Sequence, residues 1–219
     1  MARPKNTDAQ KTRKRILDSA ARLFSAKGVH AVGMREIAAA AEVSQPAVHH
    51  YFGSKDELHS AVLDAMYAEL ALVGGELQGA VLSANSLRDA IELGVRGLYR
   101  FALAHRDAVV LAMRESLESD RGIRAGRAEL LGGVLLDQGA GVIAQLSGRS
   151  EGDVRMALLS LNFAVSRYIT LSSNERRLLV APALAKKKNG KVGTTEINEG
   201  IESHLVEVAL LLLTGQSAV

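Results

Sequence analysis

No cysteine occurs among the 219 residues, which excludes disulfides, thiolate nucleophiles and cysteine-ligated metals. Aromatic residues make up only 4% of a chain that is 47% hydrophobic. Its core must therefore be aliphatic and alanine-rich, as helical bundles are. No apolar run reaches the roughly 18 residues of a transmembrane helix. The amino-terminal stretch MARPKNTDAQKTRKR is basic and has no apolar stretch before Ile16, so it does not read as a secretory signal. By elimination the expected location is cytoplasmic, with no membrane partner. What is present suits one large or two modest domains, and 23% charged residues place the chain outside the disordered class.

The net charge of +3 is unevenly spread. Residues 1–28 hold eight basic and two acidic side chains, a surplus of six, which leaves a deficit of three for the remainder. A basic arm on an acidic body points to a polyanion partner for the amino-terminal end. Taken alone, a solvated tail is the better explanation. The neighbouring stretch decides between the two.

That stretch is MREIAAAAEVSQPAVHHYFGSK, Met34 to Lys55. Ile37, Ala38 and Ala41 fall on one helical stripe. Ser44 is a good N-cap, because its side-chain oxygen can take a free backbone N–H. Pro46 sits in the first turn, where its missing N–H costs nothing. Ala47, Val48 and Tyr51 give the second helix an inward face and leave Gln45, His49 and His50 to point elsewhere. Two short helices joined by so tight a turn form a helix-turn-helix, whose second helix fits a DNA major groove. Downstream, Ser54-Lys-Asp-Glu57 is a capping box. It places Lys55 beside exposed N–H groups at a helix start, a ready phosphate site.

The run RILDSAARLFSAKGVHAVGMREIAAAAEVSQPAVHHYFGSKDEL resembles the DNA-binding domain of the TetR family of transcriptional regulators. Phe24, Gly28, Ile37, Ala38, Val43, Ser44, Tyr51, Phe52, Ser54 and Lys55 carry the resemblance, which extends from about Thr12 to Leu58. Met34, Glu42 and His49 depart from it: the family usually has a Thr or Ser, a turn glycine and a tyrosine there. The resemblance implies an all-α fold, with a three-helix DNA-binding head (about 1–53) and a helical ligand-binding and dimerisation bundle (about 54–219). It implies a homodimeric repressor without a cofactor, binding a near-palindromic operator and released by a small effector, which the apolar bundle suggests is mainly apolar. Carried over position by position, the DNA-facing set is Arg35, Gln45, Pro46, Ala47, His49, His50 and Lys55. Gln45 is the best base reader, since its amide pairs bidentately with adenine. Lys55 and His49 read as phosphate contacts.

Along the chain, Thr7-Asp-Ala-Gln10 reads as a capping box for a first helix over Asp8–Lys27, stopped by Gly28. The fourth helix is expected to end near Gly74 and a Gly- and Ser-rich joint to follow over 74–86. Ser86 then caps a fifth helix to about His105, and a sixth ends near Leu117. Residues 119–127 read as a polar loop. The seventh helix, about Ala128–Leu146, contains Gly132, Gly133, Gly139 and Gly141, which fit either close packing or an adjustable bend. Ser150 caps an eighth helix to about Leu171, residues 186–195 form a basic loop, and the last helix spans about Glu196–Leu213.

Met66, Leu70, Leu103, Met113 and Phe163 are bulky or flexible apolar candidates for an effector cavity. Arg114, Asn162 and Arg167 are either its polar lining or ordinary surface and ion-pair residues. Leu159, Leu205, Val208 and Leu212 are the candidate dimer contacts, since the run to Leu213 is more apolar than one bundle needs. His49 and His50 diverge by about 100° on a helix and cannot ligate one ion, so no metal site is expected. They read as DNA contacts or plain surface. No nucleophile elbow or acid–base pair is visible, so the chain is not read as an enzyme. A helical enzyme with a nucleic-acid-binding head and a nucleoid-type DNA-binding protein are the two alternatives.

Overall fold

The computed structural model describes residues 5–118, 136, 138–180 and 193–215. Every regular element among them is helical. They are α1 (Lys5–Lys27), α2 (Met34–Ala40), α3 (Gln45–Phe52), α4 (Lys55–Leu82), α5 (Leu87–Ala104), α6 (Arg106–Glu118), α7 (Gln138–Ser147), α8 (Glu151–Thr170) and α9 (Thr194–Thr214). A short turn, Ser173–Glu175, continues as a π-helix over Arg176–Val180. The chain divides into two compact units, 1–69 with 107–124, and 70–106 with 125–219.

In the first unit, Ile16, Leu17, Ala20 and Phe24 of α1 meet Ile37, Ala38, Val48, Phe52, Leu58, Val62 and Leu63 in an aliphatic core. This is the stripe pattern expected of amphipathic helices. The unit extends past residue 53 to Glu69, because Leu58, Val62, Leu63 and Met66 on the first turns of α4 are buried. It also takes in α6, which the sequence reading assigned to the bundle. Two polar contacts explain why. The buried Ser25 hydroxyl donates to Asp107 Oδ1 at 2.8 Å, and Arg114 Nη1 donates to the Phe24 carbonyl at 3.4 Å. Both add a long-range partner at the carboxyl end of α1, where the Ser25 hydroxyl also reaches the Arg22 carbonyl at 3.1 Å and the Phe24 carbonyl also accepts from the Gly28 N–H at 2.8 Å.

The second unit packs α5, α8 and α9 through Ile91, Val95 and Tyr99, through Val154, Leu161, Val165 and Ile169, and through Ile201, Leu205, Ala209 and Leu213. One carboxylate, Glu202, is buried among them and is met by Arg96 at 3.0 Å and Arg100 at 2.9 Å. Burial pushes the Tyr99 phenol up to about 12, helped by Glu202 and opposed by Arg176. The carboxyl end of α8 is capped from outside: Arg106 Nε and Arg176 Nη2 donate to the Ile169 carbonyl at 3.0 and 3.3 Å. Arg149 does the same for the Leu212 carbonyl of α9.

Several boundaries differ from the sequence reading. Helix α1 begins at Lys5, so Thr7 lies inside it and not at its cap. Helix α4 does not stop near Gly74 and runs unbroken to Leu82. Its glycines cost roughly 1 kcal/mol each, but its second half packs tightly on α5. A side chain at Gly97 would meet Leu77 within 2.5 Å, and one at Gly94 would meet Val81 at 4.0 Å. Tertiary packing wins over propensity here. Of the glycine cluster, Gly132 and Gly133 lie outside the described residues, as do the expected loop at 119–127 and residues 186–192 of the basic loop. A side chain at Gly139 would meet Leu158 at 3.7 Å, an ordinary contact distance.

Candidate nucleic-acid interface

The helix-turn-helix is built by local rules that its residues satisfy one at a time. Helix α2 ends in a Schellman motif: the Val43 N–H donates to the Ala38 carbonyl at 3.0 Å, and the Glu42 N–H to Ala39 at 3.2 Å. That motif demands a left-handed residue. Glu42 supplies it at φ +56°, alone among the described non-glycine residues. Ser44 then caps α3 by accepting from the Ala47 N–H at 3.3 Å, with Pro46 in the first turn. Gly53, at φ +70°, ends α3. The capping box follows: Ser54 Oγ accepts from the Glu57 N–H at 3.2 Å, and the Ser54 N–H donates to Glu57 Oε2 at 2.7 Å. The Ser54 amide holds the Glu57 carboxyl below its ordinary value.

These constraints decide what α3 presents. Val48 and Phe52 are buried, and Gln45, Pro46, His49 and His50 are exposed, with Ala47 half-buried at their edge. Arg35 is exposed on α2. Tyr51, expected to face inward, is only half-buried and sits edge-on to His50. Two candidate residues have their side chains already positioned. Lys55 Nζ donates to the His30 carbonyl at 3.2 Å, which leaves two of its three donors for another acceptor. His49 Nδ1 lies 2.8 Å from the Gly53 carbonyl.

Cations of α1 border the same unit. Arg13 covers the Phe52 ring at 5.1 Å, Lys14 pairs with Asp18 at 3.2 Å, and Arg15 stands 3.9 Å from Glu42. All three cations are exposed. Nearby, an open polar cleft is lined by Arg15, Asp18, Arg22, Glu42 and Asp107 among others. Its guanidiniums and carboxylates nearly cancel, so it offers an anion no net attraction.

The residues proposed for an effector fall in both units. Met66, Met113 and Arg114 belong to the first unit, and Leu70, Leu103, Asn162, Phe163 and Arg167 to the second. Arg114 is spent on the Phe24 carbonyl. Phe163 is 64% exposed, because the buried stripe of α8 runs through Leu161 and Val165 and a residue two places from either turns outward. Arg167 is also exposed and bonds Glu175 at 2.9 Å. Met66 and Leu70 are buried, whereas Leu103, Met113 and Asn162 are half-buried.

Among the dimer candidates, Leu205 is fully buried in its own bundle, so it has no surface to offer. Leu159, Val208 and Leu212 are half-buried. The sequence reading missed the exposed apolar residues beside them, Met156 and Leu211. Met156 stands seven places before Phe163, a spacing that puts both on one face and could have revealed them. The Ser25–Asp107 contact spans 82 positions and left no local signal. Among the described residues no group of acidic or histidine side chains could hold a metal ion, and no helix is long and apolar enough to cross a membrane.

Comparison with known proteins agrees with this geometry. Residues 16–62 match the model of bacterial regulatory proteins of the tetR family. The regulator AcrR of Shigella flexneri is 40% identical over 78 residues, 36% of this chain and 34% of AcrR. The chain thus spans about a third of the length of that relative. The repressor NicS of Pseudomonas putida is 25% identical over 66% of each chain. The TetR-family regulator PfmR of Thermus thermophilus shares the fold, with a TM-score of 0.65 at 18% identity, over 93% of this chain and all of PfmR. These relatives carry regulator names and no enzyme name. Residues 16–62 therefore carry the helix-turn-helix of the tetR family of bacterial regulatory proteins, and the whole chain shares the fold of solved regulators of that name.

Proposed function

We propose that the chain is a transcriptional repressor that binds a near-palindromic operator as a homodimer and is released by a small, mainly apolar effector. The observation that carries this reading is the outer face of α3. Val48 and Phe52 anchor the helix in the core, while Gln45, Pro46, His49 and His50 stand exposed beside Lys55. Gln45 lies in the first turn, where a recognition helix meets base edges. Lys55 and His49 lie at the other end, suited to the phosphate backbone.

The dimer reading rests on the exposed Met156 and Phe163 of α8 and Leu211 of α9. Flanked by Leu159, Val208 and Leu212, they are apolar surface that a second copy would cover. A paired head is also what a specific site requires, since half-sites lie about 34 Å apart. The effector is assigned to the second unit, whose Leu70, Leu103 and Asn162 combine apolar bulk with one amide.

Selecting duplexes from a randomised pool with the full chain tests the reading. A near-palindromic consensus is expected, with a steep salt dependence of about −0.9 in the log–log slope per neutralised phosphate. Gln45→Ala should change which sequence is preferred, whereas Lys55→Ala should weaken all sequences alike and flatten the slope. Recovery of no consensus would overturn the proposal.

A further inference from the structure

We propose that His49 binds a DNA phosphate only as an imidazolium, so that each head takes up one proton when it engages the duplex. The inference rests on the DNA-binding reading above. Its observation is the 2.8 Å contact between His49 Nδ1 and the Gly53 carbonyl oxygen. A carbonyl oxygen only accepts, so Nδ1 must carry the hydrogen. In a neutral ring the outer nitrogen, Nε2, then has a lone pair and no hydrogen. A phosphate oxygen also brings lone pairs, and the two cannot bond. Protonation at Nε2 converts that opposition into a charge-assisted hydrogen bond, the stronger class. No other rotamer or tautomer is needed, because the Gly53 contact is kept throughout.

The placement favours a phosphate over a base. The contact holds the ring at the carboxyl end of α3, against the turn into α4 and near Lys55, whereas base edges are met from the amino-terminal residues of a recognition helix. Ionisable groups on the elements around α3 are few. Helix α1 brings Arg13, stacked on Phe52. Helix α2 brings Arg35 and Glu36, the latter paired with Lys27 at 2.5 Å. Helix α4 brings Lys55, Asp56 and Glu57. On α3 itself His50 is adjacent and meets Tyr51 edge-on. Glu57, bonded to the Ser54 amide, stays anionic across the histidine range and partly offsets the nearby Lys55.

The sign follows from linkage. Bound DNA favours the charged ring, so the contact is fully present at low pH and is lost as pH rises through the value of the bound state. Affinity should fall up to about tenfold per head for each pH unit above the titration.

The test uses the full chain and two duplexes of about 30 base pairs, one selected from a random pool at about pH 6 and one of unrelated sequence. Affinity is measured between about pH 6 and pH 8, and proton uptake by calorimetry in two buffers of different ionisation enthalpy. The expected result is uptake approaching one proton per head on the selected duplex. At protein concentrations that saturate the duplex, His49→Tyr, whose hydroxyl donates without taking up a proton, should lose the uptake, whereas His50→Gln should retain it whatever its affinity. Nitrogen-15 shifts of the free chain should show His49 hydrogenated at Nδ1. Binding without uptake, uptake surviving in His49→Tyr, or a hydrogen on Nε2 would overturn the inference alone. A chain that retains neither duplex at any pH would overturn the DNA-binding reading with it.

Discussion

Replacing Glu42 by glycine should make the protein more stable. Glu42 occupies the left-handed position of the α2–α3 turn at φ +56°, where a side chain costs about 1–2 kcal/mol. Glycine removes that cost but enlarges the unfolded ensemble, which takes back about 0.4–1 kcal/mol. The lost partner matters little. Arg15 is 3.9 Å away, and the two side chains are 51% and 86% exposed, so the pair contributes close to nothing. The balance is a gain of about 0.5–1 kcal/mol. In a chain of this size that raises the melting temperature by about 1–4 °C. Thermal unfolding followed by circular dichroism reads it, with Glu42→Ala as the control. Alanine removes the charge yet keeps the strained backbone, so it should leave stability unchanged. If glycine destabilises the protein, or if alanine raises the melting temperature as much as glycine does, the strain argument is wrong.

Gly97→Val should cost about 1–3 kcal/mol, since its Cβ would meet Leu77 within 2.5 Å; urea unfolding measures it, and Leu77→Ala in the same chain should recover part of the loss. Mutating Arg96 and Arg100 together to methionine should cost about 3 kcal/mol, because it leaves the buried Glu202 unpaired. Glu202→Met should cost clearly less, as both guanidiniums can be rehydrated, and equal losses would show that the carboxylate is not the critical partner. The Ser172 amide, the Arg167 guanidinium and the Ser172 hydroxyl lower the Glu175 carboxyl from 4.5 to about 2. A folded value below the unfolded one stabilises above the unfolded value and is lost as pH falls towards 2. Nuclear magnetic resonance should therefore show the helical turn from Ser173 loosening between those limits, and Glu175→Gln should remove the dependence.

Much of the helix layout was legible because its signals are local. Ser44, Ser54 with Glu57, Ser86 and Ser150 each cap the helix that follows them, and Gly28, Gly53 and Gly215 each take the left-handed backbone that ends a helix. The exposed face of α3 follows from the same few residues. What sequence could not show depends on partners far along the chain. Leu77 and Val81, in the part of α4 beyond Gly74 and Gly75, lie against Gly97 and Gly94 of another helix. The duty of Arg114 needs a carbonyl 90 positions away. The exposure of Phe163 and the burial of Leu205 were hidden for a related reason: apolar character says that a side chain seeks cover, and only the phase of the helix says whether its own chain provides it.

The first unit is assembled from two stretches of chain separated by residues 70–106, and this orders events during synthesis. A ribosome adds about 5–20 residues per second. For several seconds after α3 has emerged, the Ser25 hydroxyl and the Phe24 carbonyl wait for Asp107 and Arg114, and the cover given by the buried Ala108 and Leu111 has yet to be made. Nascent heads are therefore incomplete until α6 has left the exit tunnel. A gene truncated after Gly53, or one interrupted between Glu69 and Asp107, should yield a head that proteases clear faster than the intact chain.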